Sequence, residues 1–124
     1  MVRLHSAPSY QRALVFEPGS DDLLGSGWFK LYRWAADGMA PQPIATDHRG
    51  IINDLQFSRD GSYLATISRQ TDSAVLLLDP RSGRTLHAFR KHALCGQRVA
   101  VAPDGQLLLS TSDDASVRFY RLPE

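Results

Sequence analysis

The chain repeats itself, and this limits what it can fold into more than any other feature. His48 aligns with His92, Asp60-Gly61 with Asp104-Gly105 and Thr66 with Ser110, each pair 44 residues apart. The spacing also holds within each unit. His48 is followed by Ile52, Leu55 and Phe57, and His92 at the same offsets by Gly96, Val99 and Val101. Two extra residues between Ser68 and Val75 are the only slippage. A fainter copy lies upstream. Leu14-Val15-Phe16 stands for Leu55-Gln56-Phe57, Leu23-Leu24 for Leu64-Ala65, and Phe29-Lys30-Leu31-Tyr32 for Val75 to Leu78. That copy has no loop Asp and no His at the matching offset. A period of this length means one supersecondary unit stacked on its neighbours, because a single unit cannot bury its apolar faces alone.

Local signals make the unit all-β. Short apolar runs are bounded by turn pairs: Pro18-Gly19, Asp37-Gly38, Asp60-Gly61, Pro80 to Gly83 and Asp104-Gly105. Turn residues at this density punctuate strands. Val117-Arg118-Phe119-Tyr120 and Phe29-Lys30-Leu31 alternate with the period of two of a half-buried strand. Leu107 to Leu109 and Val75 to Leu78 are apolar throughout, as strands covered on both faces are. No stretch carries a helical stripe.

Size and charge narrow the function classes. At 124 residues the chain suits one domain, 1–124, divided into units of approximately 1–34, 35–79 and 80–121. No window approaches the 18 consecutive apolar residues of a membrane span. A net charge of +1, from 14 basic and 13 acidic residues, gives no long-range field suited to nucleic acid. Residues 1–20 lack a continuous apolar core of signal-peptide type. The single cysteine, Cys95, suits a reducing compartment. The expectation is therefore an intracellular protein, cytoplasmic or nuclear.

In combination these residues resemble the WD-repeat family. That family's pattern is a His before a strand, Phe-Ser-Pro-Asp-Gly, Leu-Ala-Ser-Gly-Ser, a loop Asp, and a strand ending in Trp-Asp. The second unit reads Phe57-Ser58-Arg59-Asp60-Gly61, Tyr63 to Ser68, Asp72, then Val75 to Asp79. The third reads Val101-Ala102-Pro103-Asp104-Gly105, Leu108 to Ser112, Asp114, then Val117 to Tyr120. The signature Trp is replaced by Tyr32, Leu78 and Tyr120 in this alignment.

The resemblance implies β-propeller blades of four antiparallel strands, about three of them. The expected strands are 2–4, 10–16, 23–26, 28–34, 42–46, 51–57, 62–68, 74–79, 85–89, 97–101, 106–112 and 116–121. Three blades do not close a ring, since propellers typically have four to eight. The expectation is thus part of a larger propeller, or an arc completed by a second copy or by another protein. The resemblance also implies a buried hydrogen-bond network in each blade: His92, Ser110 and Asp114 with Tyr120 in the third unit, and His48, Thr66 and Asp72 in the second. Leu78 offers no donor, so the second network is expected to stop at Thr66 or to use water.

For function, the resemblance implies a non-catalytic scaffold that binds other proteins, with no cofactor and no metal. Candidate partner contacts are Ile51, Asn53 and Thr71 in the second unit and Cys95, Gln97 and Asp113 in the third. Trp34 is the aromatic expected at the surface, and Trp28 and Phe29 are expected in the core. A propeller-type hydrolase would need converging acidic residues or His, and the chain has no such cluster. The Ser, His and Asp of the third unit recur by type in the second, as a structural device would and a single active site would not. Nucleic-acid or phospholipid binding would draw on Arg84, His87, Arg90, Lys91 and Arg98.

Overall fold

Each apolar run between turn pairs forms a strand of an antiparallel hairpin in the computed structural model, which describes residues 7, 11–35, 40–69, 73–89 and 91–122. These residues contain no helix and eleven strands: β1 (Leu14–Phe16), β2 (Leu23–Ser26), β3 (Lys30–Trp34), β4 (Gln42–Ala45), β5 (Ile52–Phe57), β6 (Leu64–Ser68), β7 (Val75–Leu78), β8 (Thr85–Phe89), β9 (Gly96–Val101), β10 (Leu107–Ser112) and β11 (Val117–Arg121). They make three sheets in chain order, β1-β2-β3-β4, β5-β6-β7-β8 and β9-β10-β11. The expected strand 2–4 lies outside the described residues.

The repeated Asp-Gly pair makes the same tight turn twice. Asp60 Oδ1 accepts the Ser62 N–H at 3.0 Å, and Asp104 Oδ1 accepts the Gln106 N–H at 2.9 Å. Gly61 and Gly105 adopt φ of 77° and 73°, which side chains disfavour.

Pleating sends alternate residues to opposite faces, so the middle sheet packs on both neighbours. Leu24, Leu31 and Ile44 of the first sheet meet Ile52, Leu55, Phe57, Leu64, Leu76 and Leu78 of the second. From its other face, Ala65, Ile67, Val75 and Leu77 meet Val99 and Leu108 of the third. Every residue of β6 and β7 is therefore buried. Each such Leu or Ile contributes roughly 1.5–3 kcal/mol by leaving water.

Pairing corrects the register of the first unit. Leu23 lies opposite Trp34, Leu64 opposite Leu78, and Leu108 opposite Tyr120. Trp34, not Tyr32, thus holds the signature position. Five residues before each of these three stand Phe29, Ser73 and Ala115, which have φ of 63°, 45° and 68°. A left-handed residue closes the same turn in all three sheets. Trp34 is only 5% exposed, contrary to its expected surface position, because the signature position faces the blade interior. Trp28 and Phe29, expected in the core, are nearly half exposed on the shortened turn.

Candidate functional site

Two polar sets stand out: one inside the blades, one along the inner strands.

Inside the third sheet, His92 is fixed from both ring nitrogens. Nε2 lies 2.6 Å from Ser110 Oγ, and Nδ1 lies 3.1 Å from Asp114 Oδ2 and 3.1 Å from Ser116 Oγ. The Tyr120 hydroxyl is 3.5 Å from Ser110 Oγ. Asp114 also accepts the backbone N–H groups of Ala93 and Ser116, and the Ser116 hydroxyl donates to it. The Ser116 hydroxyl holds the Asp114 carboxyl below the ordinary carboxylate range, reinforced by the Ser116 N–H, His92 and the Ala93 N–H and opposed by desolvation. Ser116 was not among the sequence candidates, although a hydroxyl two residues after a turn Asp is a common capping partner.

The second sheet repeats the device. His48 Nε2 lies 2.6 Å from Thr66 Oγ1, and the Thr66 hydroxyl donates to the Leu76 carbonyl at 3.0 Å. With the one hydroxyl proton committed there, Nε2 of His48 is the donor. The chain of bonds therefore ends on the backbone of β7, where the sequence expectation had it stop at Thr66 or on water. Asp72 lies outside the described residues. Neither Thr66 nor Ser110 is accessible, both being 0% exposed, so no substrate reaches either hydroxyl in this conformation. Catalysis by such a set needs an approachable nucleophile and an oxyanion site beside it.

Along the inner strands, three equivalent positions converge. Arg12, just before β1, Asn53 on β5 and Gln97 on β9 occupy the same place in successive units. The Arg12 Nε donates to Asn53 Oδ1 at 3.3 Å, and Asn53 Nδ2 donates to the Gln97 carbonyl at 3.0 Å. The Gln97 Nε2 then donates to Asp113 Oδ1 at 2.7 Å. A pocket of about 330 Å³ is lined by Gln11, Arg12, Asn53, Gln97 and Arg98. A β-bulge in β5 places Asn53 across this gap. Arg12 is absent from the sequence candidates, yet it precedes Leu14 by the same two residues that separate Asn53 from Leu55.

The other candidates fall differently. Cys95 is half-buried beside this set, and its carbonyl accepts the Asp113 N–H at 3.0 Å. Ile51 is buried and bridges Trp28, so it offers a partner no surface. Trp34 is excluded likewise by its burial, and Thr71 lies outside the described residues. Among the described residues, the basic candidates are spread over more than one strand. His87 is on the outermost strand β8 and Arg98 on the innermost strand β9, and Arg90 is not described.

An ionic clamp between the first two sheets went unread in the sequence. Arg33 is buried and donates to both carboxylate oxygens of Glu17, at 3.1 and 3.0 Å, and to Asp22 at 2.8 Å. Its Nη2 also donates to the Pro80 carbonyl of the second sheet at 2.9 Å. The Arg33 hydrogen bonds hold Glu17 below its ordinary range, against the opposing effect of burial.

Among the described residues, no group of three or more His, Cys, Asp or Glu is placed to hold a metal ion. No helix among them is long and apolar enough to cross a membrane.

Antiparallel sheets in chain order, packed face to face with their inner strands converging, define an open segment of β-propeller. The WD domain, G-beta repeat family matches residues 41–76 and 83–121, and the chain belongs to that family. It is 30% identical to the chromatin assembly factor 1 subunit FAS2 homolog of Oryza sativa subsp. japonica, over 94% of this chain and 24% of that protein. It is 27% identical to autophagy-related protein 21 of Pichia angusta, over 92% of this chain and 30% of that one. Striatin-4 of Mus musculus matches at 29% identity over 64% of the chain and 11% of its own length. None of the three names denotes an enzyme. In structure, the WD40 repeats of RRP9 superpose with a TM-score of 0.82 at 22% identity, over 96% of this chain and 37% of that one. The chain thus spans less than a third of the length of these three relatives.

Proposed function

We propose that the chain is a non-catalytic scaffold that binds a protein partner at the inner-strand edge formed by Arg12, Asn53, Gln97 and Asp113. One observation carries this reading: three successive units each place a hydrogen-bonding side chain at the same inner position, and these side chains meet around one pocket. Polar groups on a rigid sheet scaffold orient a partner's backbone and side chains at little entropic cost. Amides, two guanidinium groups and a carboxylate suit a mixed polar peptide rather than a nucleic acid, which would call for a continuous basic surface. The burial of Ser110 and Thr66 speaks against catalysis by those two hydroxyls. The lone thiol accords with an intracellular, reducing setting. Completion of the open arc by another chain is a second partner role that the same architecture supports.

The test is cross-linking of the chain to its cellular partners, followed by mass spectrometry, with the Arg12→Ala/Gln97→Ala double variant in parallel. Partners are expected to be lost from the variant while its melting temperature stays close to that of the wild type. An unchanged partner set would refute the assignment of this edge.

A further inference from the structure

The turns that end the inner strands touch at one sheet junction and stand apart at the next. Pro18, Arg59 and Pro103 hold the same place in the three turns, two residues after Phe16, Phe57 and Val101. At the first junction Pro18 covers the second turn. A Cβ on Gly61 would lie 3.6 Å from the Pro18 carbonyl oxygen and 3.7 and 3.8 Å from its ring carbons. At the second junction Arg59 stands in place of the proline, and a Cβ on Gly105 would meet nothing within 4 Å. A cleft of about 620 Å³ opens there, with Arg59, Asp60 and Tyr63 of the second sheet on one side and Pro103, Asp104 and Gly105 of the third on the other. It lies between two sheets that pack on each other, at the opposite end of the strands from Asn53 and Gln97. Neither the outer faces of the end sheets nor the inner-strand site contributes to it. Its polar groups are unequally engaged. Asp60 accepts from the Ser58 and Ser62 hydroxyls and from the Ser62 N–H within its own turn, and Asp104 accepts the Gln106 N–H. Arg59 is exposed and makes no hydrogen bond or ion pair among the described residues. The unengaged group of the cleft is thus a guanidinium, which donates and cannot accept.

We propose that this cleft binds a proline-bearing segment of a partner protein, its ring seated on Gly105 beside Tyr63 and Pro103 and its backbone carbonyls accepting from Arg59. The chain already contains an example of the fit. Pro18 covers Gly61, which makes the same turn as Gly105 at nearly the same φ, 77° against 73°. Proline has no N–H, and extended proline-bearing segments leave their carbonyls free, which matches a lining whose unengaged group is a donor. Aromatic-lined grooves take such segments at low entropic cost. Charge sets what can flank the proline. One guanidinium against the carboxylates of Asp60 and Asp104 leaves the lining net negative, so acidic neighbours are disfavoured and basic ones are accommodated. This proposal does not depend on the inner-strand site.

The test is a heteronuclear NMR titration of the isotope-labelled 124-residue chain with an alternating Ala-Pro decapeptide, taken to millimolar concentration. Saturable shifts are expected at the amides of residues 58–63 and 104–106 and not at Asn53 or Gln97. An alternating Ala-Gly decapeptide is expected to bind about tenfold more weakly. Arg59→Ala keeps the cleft and removes the donor, and it should weaken binding about fivefold, the worth of about 1 kcal/mol of hydrogen bonding. Arg59→Pro restores the residue of the other two turns. It should close the cleft onto Gly105 and abolish the shifts, with a melting temperature at or above that of the wild type. Arg59→Ala carries the test if Arg59→Pro does not fold. Shifts absent at millimolar peptide, shifts confined to other parts of the chain, equal binding of the Ala-Gly decapeptide, or full binding by Arg59→Pro would each overturn the proposal. So would tighter binding of an alternating Ala-Glu decapeptide, because that result marks Arg59 as a site for anions.

Discussion

Ser110 is the residue through which the buried histidine set is best tested. Its Oγ is fully buried and lies 2.6 Å from Nε2 of His92, whose own side chain is 0% exposed. Ser110→Ala removes that oxygen and opens no space large enough for a useful water, so the ring nitrogen loses its partner in a dry site. A buried polar group stripped of its hydrogen bond costs about 1–3 kcal/mol. The 3.5 Å contact with Tyr120 is too long to add much. For a chain of this length each kcal/mol moves the melting temperature by about 4 °C, so the expected drop is roughly 4–12 °C. Thermal and urea unfolding followed by circular dichroism measure both quantities. Ser110→Thr should retain most of the stability, because Thr66 fills the same place in the second sheet with the same 2.6 Å bond. In a double-mutant cycle with His92→Leu, the coupling should fall between about 0.5 and 3 kcal/mol. A melting temperature unchanged in Ser110→Ala, or zero coupling, would show that the set does not stabilise the blade.

Other consequences of the same geometry are open to measurement. A Cβ on Gly83 would sit 2.1 Å from the Ala45 carbonyl oxygen, whereas one on Gly105 would meet nothing, and both have positive φ. Gly105→Ala should therefore cost about 1–2 kcal/mol from backbone strain alone, and Gly83→Ala roughly 2–5 kcal/mol once the overpacking of β4 is included; equal losses in denaturant melts would contradict a tight contact there. Arg33→Ala leaves Glu17 buried without its main partner and should cost about 3 kcal/mol, most of it recovered in Arg33→Leu/Glu17→Leu; a double variant no more stable than the single one argues against the clamp. The folded-state pKa values of Asp114 and Glu17 both lie below those of the unfolded chain, about 3.9–4.3. Their contribution is present above that range and is lost as pH falls below it, so stability should decline below about pH 4. Asp114→Asn and Glu17→Gln should each flatten that decline, and an unaltered acid limb in both would refute the assignment. Amide hydrogen exchange should be slowest in β6 and β7, which are covered on both faces, and faster in β1 and β11 at the open ends; equal protection along the chain would contradict a stack of neighbour-dependent sheets.

The strand order was legible because the repeat carries its own punctuation: the first hairpin of each unit turns on a Pro-Gly or Asp-Gly pair, at Pro18-Gly19, Asp60-Gly61 and Asp104-Gly105. The two-residue misplacement of the signature position shows where such reading fails. A slip of two keeps every side chain on the same face of the pleat, so hydrophobic alternation cannot distinguish Tyr32 from Trp34. Loop length decides it. Five residues run from Ser26 to its partner Leu31, and eight from Ile67 to Val75. The first turn is shorter by three, which brings Trp34 into line with Leu78 and sets Phe29 at the left-handed position that Ser73 and Ala115 hold in the other two sheets. Arg12 was readable by the same arithmetic from Asn53. The Arg33 clamp was not, because its bond to Pro80 joins residues 47 apart that only the packing of one sheet on the next brings together.

That packing also accounts for the polar inner strand of the middle sheet. β9 is the first strand of its sheet, so one of its edges has no neighbouring strand to bond with, and an exposed strand edge is a site for unwanted pairing. Asp54 Oδ2 accepts the Val99 N–H, and Gln56 Oε1 accepts the Val101 N–H, each at 3.0 Å. Side chains of one sheet thus satisfy the free backbone edge of the next. An alternating strand that puts Leu55 and Phe57 into one interface therefore uses Asn53, Asp54 and Gln56 to fasten the other. The equivalent residues of β9, at 97, 98 and 100, are Gln97, Arg98 and Ala100, and the third sheet has no described neighbour for them to fasten. Ala100 is apolar, like Val15 at the equivalent place in β1, and Val15 packs directly against the neighbouring core. Ala13 and Val15 thus join the first sheet to the second by apolar packing at the places where Asp54 and Gln56 join the second to the third by hydrogen bonds.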